Sequence, residues 1–125
     1  MDDTIRRALD RGTVIDMTTT GRRTGRPRRI EIAFHNIDGR IVISGIPVAG
    51  RRRGWLYNLE ADPRITLHLK RSVTADLEGT ARIITDPAER RELLTQVARN
   101  WGRTDLDAMV EHSPLIEVTI PGYPA

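Results

Sequence analysis

Alternation of apolar and polar residues predicts paired β-strands near the middle of the chain. Over residues 28–36, isoleucines and Phe34 alternate with charged or smaller residues, which is the period of two expected of a half-buried strand. Asp38-Gly39 follows, and this dipeptide is typical of a tight hairpin turn. The pattern therefore predicts a hairpin whose second strand covers residues 40–44.

Four other segments have the character of strands. β-branched residues or the same alternation mark them, and Gly79 within one of them predicts a β-bulge. His68 falls on the polar face of another, where we expect an exposed histidine or, as the alternative, a catalytic residue that lines a pocket. The four predicted strands cover residues 13–20, 65–69, 73–85 and 116–120.

Four short helices are predicted from their end signals and apolar stripes. The clearest begins at Asp86-Pro87, because an N-cap aspartate, a proline in the first turn and Glu89 three residues after the cap are typical of a helix start. Apolar residues then recur at helical spacing as far as Trp101. The other three helices are predicted over residues 2–11, 54–61 and 105–111.

Six strands with hairpin-like connections and only small helices indicate a mainly β (α+β) domain. An antiparallel sheet of this kind removes its exposed edges by closing on itself. We therefore expect a six-stranded, closed or partly closed barrel with short flanking helices. The chain has 125 residues, which is close to the size of one typical domain, so a single barrel domain over residues 1–125 is expected.

The composition excludes several classes of site. Cysteine is absent, which excludes disulfides and thiolate ligands or nucleophiles and agrees with a reducing cytoplasm. The three histidines have no metal-ligand spacing, so no metal site is expected. The amino terminus lacks a basic leader followed by an apolar stretch, and no apolar run reaches the ~20 residues that span a bilayer. We expect a cytoplasmic protein that is not inserted in a membrane.

Positive charge is concentrated in the first part of the chain. Residues 1–71 carry 15 basic and 8 acidic side chains, whereas residues 72–125 carry 5 and 9. All but one of the 20 basic residues are arginine, whose planar guanidinium pairs with phosphates and carboxylates through two hydrogen bonds. An anionic partner is therefore expected.

Two arginine-rich connections have the composition to hold such an anion. In the first, residues 18–29, five arginines accompany hydroxyl side chains and two glycines, so that charged donors and accessible backbone N–H groups coincide. In the second, residues 44–55, Arg51-Arg52-Arg53 leads into the helix predicted from residue 54, and the helix dipole also favours an anion there. We expect both connections to line a single cleft.

Four motifs in these regions occur in a characteristic order: Thr20-Gly21-Arg22-Arg23-Thr24-Gly25-Arg26-Pro27-Arg28, Asp38-Gly39, Arg51-Arg52-Arg53-Gly54-Trp55-Leu56-Tyr57-Asn58-Leu59 and Asp62-Pro63. In this combination the chain resembles the deazaflavin-dependent nitroreductase family of actinobacterial oxidoreductases, over about residues 13–120. The resemblance implies a split β-barrel of the kind shared with pyridoxamine-phosphate oxidases and flavin reductases. It also implies binding of coenzyme F-420, an 8-hydroxy-5-deazaflavin that carries a phosphate and an oligoglutamate tail.

The resemblance also implies a set of contacts to this coenzyme. The matching residues are Thr20, Arg22, Arg23, Thr24, Gly25, Arg28, Ser44, Gly45, Arg51, Arg52, Arg53, Gly54, Trp55 and Asn58. Those of the first connection would bind the phosphate and the tail carboxylates. Ser44 and Gly45 would lie near the deazaflavin ring, and the residues from Arg51 onwards would close the other side.

The implied reaction is hydride transfer from reduced F-420 to an electron-poor small molecule such as a quinone, enone or nitro compound. Ser44 and Tyr57 are the candidate proton donors, with solvent as the alternative. An FMN-binding oxidoreductase on the same barrel would also need a phosphate site, although one phosphate hardly requires two arginine connections. A non-enzymatic barrel that binds nucleic acid is the alternative from another class, but the scarcity of aromatic residues leaves little for bases to stack on. The resemblance is compatible with a homodimer.

Overall fold

Six antiparallel strands close a barrel in the computed structural model, which describes residues 1–124. The elements in chain order are α1 (Asp3–Arg11), β1 (Val14–Thr20), β2 (Pro27–Ile37), β3 (Arg40–Ser44), α2 (Gly54–Ala61), β4 (Arg64–Leu69), β5 (Ala75–Ile83), α3 (Pro87–Trp101), α4 (Leu106–His112) and β6 (Leu115–Thr119). Around the barrel the strands follow the order β1-β2-β3-β6-β5-β4. The predicted six-stranded antiparallel barrel with short flanking helices is confirmed.

Alternation along the strands separates an apolar inner face from a polar outer face. On β1, Ile15 and Met17 are fully buried, whereas Asp16 between them is partly exposed. Met17 pairs with Ile30 of β2 on one side and with Leu67 of β4 on the other. α1 adds Leu9 to the same core, and α2 adds two leucines, so both helices are fixed to the barrel by apolar burial.

A second apolar cluster attaches α3 and α4 to the outside of the barrel. Val42 of β3 packs there with Leu93 of α3 and Met109 of α4. The start of α3 agrees with the prediction, because the Asp86 carboxylate accepts a hydrogen bond from the Glu89 backbone N–H at 2.9 Å. This cluster holds the end of α4 beside the start of β6, where the candidate site lies.

The predicted β-bulge at Gly79 is wrong. β5 pairs with β4 in an uninterrupted register, with Gly79 opposite Ile65, and it pairs with β6 without an extra residue. A Cβ atom on Gly79 would lie 2.6 Å from the backbone oxygen of Thr119 and 2.7 Å from Cδ1 of Ile120. The glycine is therefore required because β5 and β6 approach closely, and the strand remains regular.

The expected exposure of His68 is also wrong. Its side chain lies on the outer face of β4, as predicted, but the residue is only 8% exposed. Its Nε2 lies 2.7 Å from Thr18 Oγ1 on β1, and its Nδ1 lies 2.7 Å from Asp76 Oδ1 on β5. Cross-strand neighbours thus engage both ring nitrogens, and the histidine links three strands.

β2 extends beyond its neighbour β3 and leaves one part of the barrel wall open. It pairs with β1 from Pro27 onwards, but its pairing with β3 begins only at Phe34. The first five residues of β2 are exposed. Arg28 and Ile30 therefore reach a hollow beside α2 instead of a neighbouring strand.

Candidate functional site

The first arginine-rich connection folds into a tight loop whose own backbone satisfies its polar groups. Gly21 donates from its backbone N–H to the Arg26 carbonyl, and Gly25 donates to the Gly21 carbonyl, each at 2.8 Å. Gly25 has a φ of 69°, a conformation that glycine adopts without strain. The arginine side chains of the loop are exposed. Within residues 1–124, neither Arg22 nor Arg23 forms an ion pair with a carboxylate.

Asn58 attaches this loop to α2 and to the barrel. Its Oδ1 accepts a hydrogen bond of 3.1 Å from the backbone N–H of Arg22. Its Nδ2 donates to Oγ1 of Thr19 at 3.1 Å, and Thr19 is almost fully buried. Asn58 therefore sets the position of the first loop relative to the helix.

Tyr57 lies between the two arginine-rich connections. The guanidinium carbons of Arg22 and Arg52 each lie 4.4 Å from the centroid of its ring, a distance that permits cation–π attraction. Arg52 also forms a short ion pair with Glu60, and the hydrogen bond to that carboxylate raises the pKa of Arg52. One aromatic ring thus brings together cations from both connections.

Arg53 points away from this stack, towards the end of β3. Its Nη2 donates to the Ile46 carbonyl at 2.7 Å. Its Nη1 is buried and has no hydrogen-bond partner among residues 1–124. Burial lowers the pKa of this guanidinium, and Arg51 nearby adds to the effect. An arginine that remains desolvated and incompletely paired is suited to donate a hydrogen bond to an anionic or carbonyl oxygen.

The two connections line adjoining hollows and not the single cleft that we expected. A cleft of about 490 Å³ is lined by Arg51, Arg52, Arg53 and Tyr57, together with residues from α4 and β6. On the other side of Tyr57, a hollow of about 340 Å³ is lined by Thr19, Arg22, Arg28, Ile30, Gly54, Trp55 and Asn58. A third space of about 250 Å³ beside it adds Gly21, Arg23 and Thr24. The Arg22–Tyr57–Arg52 stack separates the first space from the other two.

Three predicted residues lie apart from these spaces. Ser44 is 1% exposed, and its hydroxyl donates to the Pro114 carbonyl at 2.6 Å, so its proton is already engaged and the geometry does not favour it as a proton donor. Thr20 and Gly25 line a separate hollow of about 270 Å³ on the outer side of the first loop. The other predicted contacts do line the three spaces or, like Gly45, pack against their walls.

Sequence reasoning missed the contribution of the chain after residue 80. Arg90, His112 and Ser113 line the cleft of about 490 Å³, although they lie far from the arginine-rich connections in sequence. Ser113 is 4% exposed, and its Oγ has no hydrogen-bond partner within the described part of the chain. No local motif marks this serine, because only the packing of α4 against the barrel brings it to the cleft.

No group of three or more His, Cys, Asp or Glu side chains suited to a metal ion occurs within residues 1–124. Over the same range, none of the helices combines the length and the apolar character needed to cross a bilayer.

The chain matches one protein family over almost its whole length. The model of the F420H(2)-dependent quinone reductase family matches residues 2–120.

Solved structures with low sequence identity share the fold. A conserved hypothetical protein from Mycobacterium tuberculosis is 20% identical with a TM-score of 0.74, over 98% of this chain and 82% of that one. A candidate pyridoxamine 5′-phosphate oxidase from Listeria innocua is 12% identical with a TM-score of 0.69, over 97% of this chain and 94% of that one. A structure named F420-H2 dependent reductase is 16% identical with a TM-score of 0.64, over 85% of this chain and 93% of that one. The barrel is therefore of the type found in pyridoxamine-phosphate oxidases.

Proposed function

The chain belongs to the F420H(2)-dependent quinone reductase family, and from this membership we propose that it reduces a quinone, an enone or a nitro compound with reduced F420. The protein is an oxidoreductase, and F420 is its coenzyme. The observation that supports our assignment of the site is the meeting of both arginine-rich connections at Tyr57.

The residues around Tyr57 fit the chemistry of this coenzyme. The phosphate and the glutamate carboxylates of F420 carry several negative charges. Arg22, Arg23 and Arg28 are exposed guanidiniums without a carboxylate partner within residues 1–124. Each charge-assisted hydrogen bond to such a group contributes about 1.5–3 kcal/mol. A polyanion would thus satisfy donors that the folded chain leaves open.

We assign the charged part of the coenzyme to the two hollows beside the first loop. Arg22, Arg23 and Arg28 line these spaces, with the hydroxyl of Thr24 at their edge. Asn58 holds the loop through the Arg22 backbone, so its contribution is chiefly to position the guanidiniums. Trp55 lines the same space and offers an apolar surface.

We assign the reacting groups to the large cleft. When bound, reduced F420 supplies a hydride to the acceptor. The chain orients the two reactants between the Arg51–Arg53 segment and the end of α4, and proximity of this kind lowers the entropic part of the barrier. The Tyr57 hydroxyl, at the wall of this cleft, holds a proton that the reduced acceptor can take, and solvent is the second source.

Coenzyme titration followed by turnover tests this proposal. Oxidised F420 should quench the tryptophan fluorescence in a saturable manner, since Trp55 lines the proposed site, and FMN should bind more weakly because it carries a single phosphate. With reduced F420, at least one of a quinone, an enone and a nitroarene should be reduced. Tighter binding of FMN than of F420, or no turnover of any acceptor by the loaded protein, would contradict the proposal.

A further inference from the structure

Two buried hydrogen-bond donors in the large cleft have no acceptor. Nη1 of Arg53 and Oγ of Ser113 are each buried, and neither finds a hydrogen-bond partner among residues 1–124. Both residues line the same cleft of about 490 Å³. Folded proteins rarely leave buried polar groups unpaired, because the lost hydration is not recovered. The pair therefore points to a ligand that supplies the missing acceptor.

The two donors belong to one wall of the cleft. Gly45 is the point where their segments meet, since a Cβ atom there would lie 3.1 Å from Arg53 Nη2 and 3.1 Å from Pro114 Cγ. Pro114 follows Ser113 directly, and its carbonyl is held by the Ser44 hydroxyl at 2.6 Å. The Ile46 carbonyl fixes the other arm of the Arg53 guanidinium at 2.7 Å. Both side chains are thus positioned by contacts that leave Nη1 and Oγ without a hydrogen-bond partner.

Arg53 Nη1 and Ser113 Oγ are both donors, and such a pair binds most strongly to an oxygen that gains negative charge. A buried guanidinium N–H and a hydroxyl both donate, and a negatively charged oxygen strengthens both hydrogen bonds. Within residues 1–124, no carboxylate forms an ion pair with Arg53, so its charge is not already neutralised. The low polarity of a buried position increases the effect of such donors on a developing charge.

We propose that Arg53 Nη1 and Ser113 Oγ bind the carbonyl oxygen of the electron acceptor, a quinone or an enone, and stabilise the negative charge that forms on it. The proposal rests on the function proposed above. In the reaction, the acceptor gains a hydride and its carbonyl oxygen takes the negative charge, while the coenzyme is left oxidised. One proton, from Tyr57 or solvent, then neutralises that oxygen, so charge and electrons balance.

The oxygen that the two donors bind could instead belong to the coenzyme ring. A probe that binds without the coenzyme distinguishes an oxygen of the acceptor from an oxygen of the coenzyme. We would titrate the protein without F420 with 4-nitrophenol and follow the phenolate absorbance. A site built for an oxyanion should bind the phenolate and lower the apparent pKa of the bound phenol. Ser113→Ala and Arg53→Lys should each weaken phenolate binding about tenfold, the loss expected of one charge-assisted hydrogen bond.

Thr85→Ala is the matched control, because Thr85 is an exposed hydroxyl residue that lines the same cleft, and it should leave phenolate binding unchanged. With reduced F420, Ser113→Ala should lower kcat/KM for a quinone about tenfold or more while the affinity for oxidised F420 stays the same. Melting curves establish whether each variant is folded. If one of the two variants does not fold, the other alone is sufficient for the test.

The proposal is overturned if both variants bind nitrophenolate as the original protein does. It is also overturned if they weaken binding of oxidised F420 and leave nitrophenolate binding intact, since the donors would then serve the coenzyme. Failure of the original protein to bind F420 would instead contradict the function proposed above, and the titration without coenzyme would distinguish the two results.

Discussion

Arg22 and Arg52 lie against the same aromatic ring, with both guanidinium carbons 4.4 Å from the centroid of Tyr57. Two like charges would not be brought together without compensation. Tyr57 attracts both cations, and Glu60 pairs with Arg52. The stack therefore gives the two arginine-rich connections a common fixed point, and it separates the hollows assigned to the coenzyme tail from the cleft assigned to the reaction.

Replacement of Tyr57 should separate its two proposed roles. Tyr57→Leu removes the ring that positions both guanidiniums, and we expect binding of oxidised F420 to weaken about fivefold to thirtyfold, the loss of two cation–π contacts of roughly 0.5–1 kcal/mol each. Tyr57→Phe keeps the ring, so its affinity should remain within about twofold while turnover falls, since the hydroxyl is lost. Fluorescence titration and steady-state rates measure the two effects. Equal affinities for the leucine and phenylalanine variants would show that the stack does not position the site.

Arg22→Ala and Arg23→Ala should each weaken binding of F420 about tenfold or more, the free energy of one charge-assisted contact. Both side chains are exposed and form no ion pair within the described residues, so the melting temperature should hardly change. Arg99→Ala is the control, because this exposed arginine lies on α3, away from the hollows. Unchanged affinity in both loop variants would show that the loop is only a basic surface. The difference from the control should also diminish with added salt.

Local patterns in the sequence predicted the strands and both arginine-rich connections, because alternation and arginine-rich turns are properties of short segments. The bulge at Gly79 was predicted wrongly, since the reason for this glycine is the approach of Thr119, 40 residues further along. The cleft wall at Ser113 was missed for the same reason, because α4 reaches it only through packing on the barrel. Properties that depend on contacts between distant segments can be predicted only once the fold is known.

Gly79→Ala should destabilise the barrel. Its Cβ would lie 2.6 Å from the backbone oxygen of Thr119, and a backbone atom cannot move aside without separating β5 from β6. We expect a loss of about 1–3 kcal/mol in the free energy of unfolding, measured by urea denaturation. Gly54→Ala is the matched control: nothing lies within 4 Å of its Cβ position in α2, so it should be neutral or stabilising by up to about 1 kcal/mol. Similar stabilities of the two variants would contradict this account.

Acid should destabilise the protein through the ion pairs that join α3 to the barrel. Arg82 and Arg40 hold the Glu89 carboxylate and lower its pKa from 4.5 to about 2, and the Glu117 pKa is lowered by the same arginines. These carboxylates bind protons more readily in the unfolded chain, so their contribution is complete above about pH 5 and is lost as the pH falls towards 2. Glu89→Gln should lower the melting temperature at pH 7 and flatten its decline between pH 5 and 3. A decline as steep as that of the original protein would show that Glu89 is not the group responsible.

Acidification should cause a second, milder loss of stability, which begins at a less acidic pH than the first and is due to His35. This residue is 6% exposed and stacks edge-on against Trp101 with ring centroids 5.1 Å apart. Burial lowers its pKa from the ordinary 6.5, so the folded protein keeps the ring neutral while the unfolded chain protonates it. Stability is therefore complete above about pH 7 and falls as the pH drops below 6.5. His35→Phe retains an aromatic ring against Trp101 without a titrating group, so its melting temperature should decline less between pH 7.5 and 5 than that of the original protein. If the melting temperatures of the two proteins declined equally over that pH interval, His35 would not be the cause of the effect.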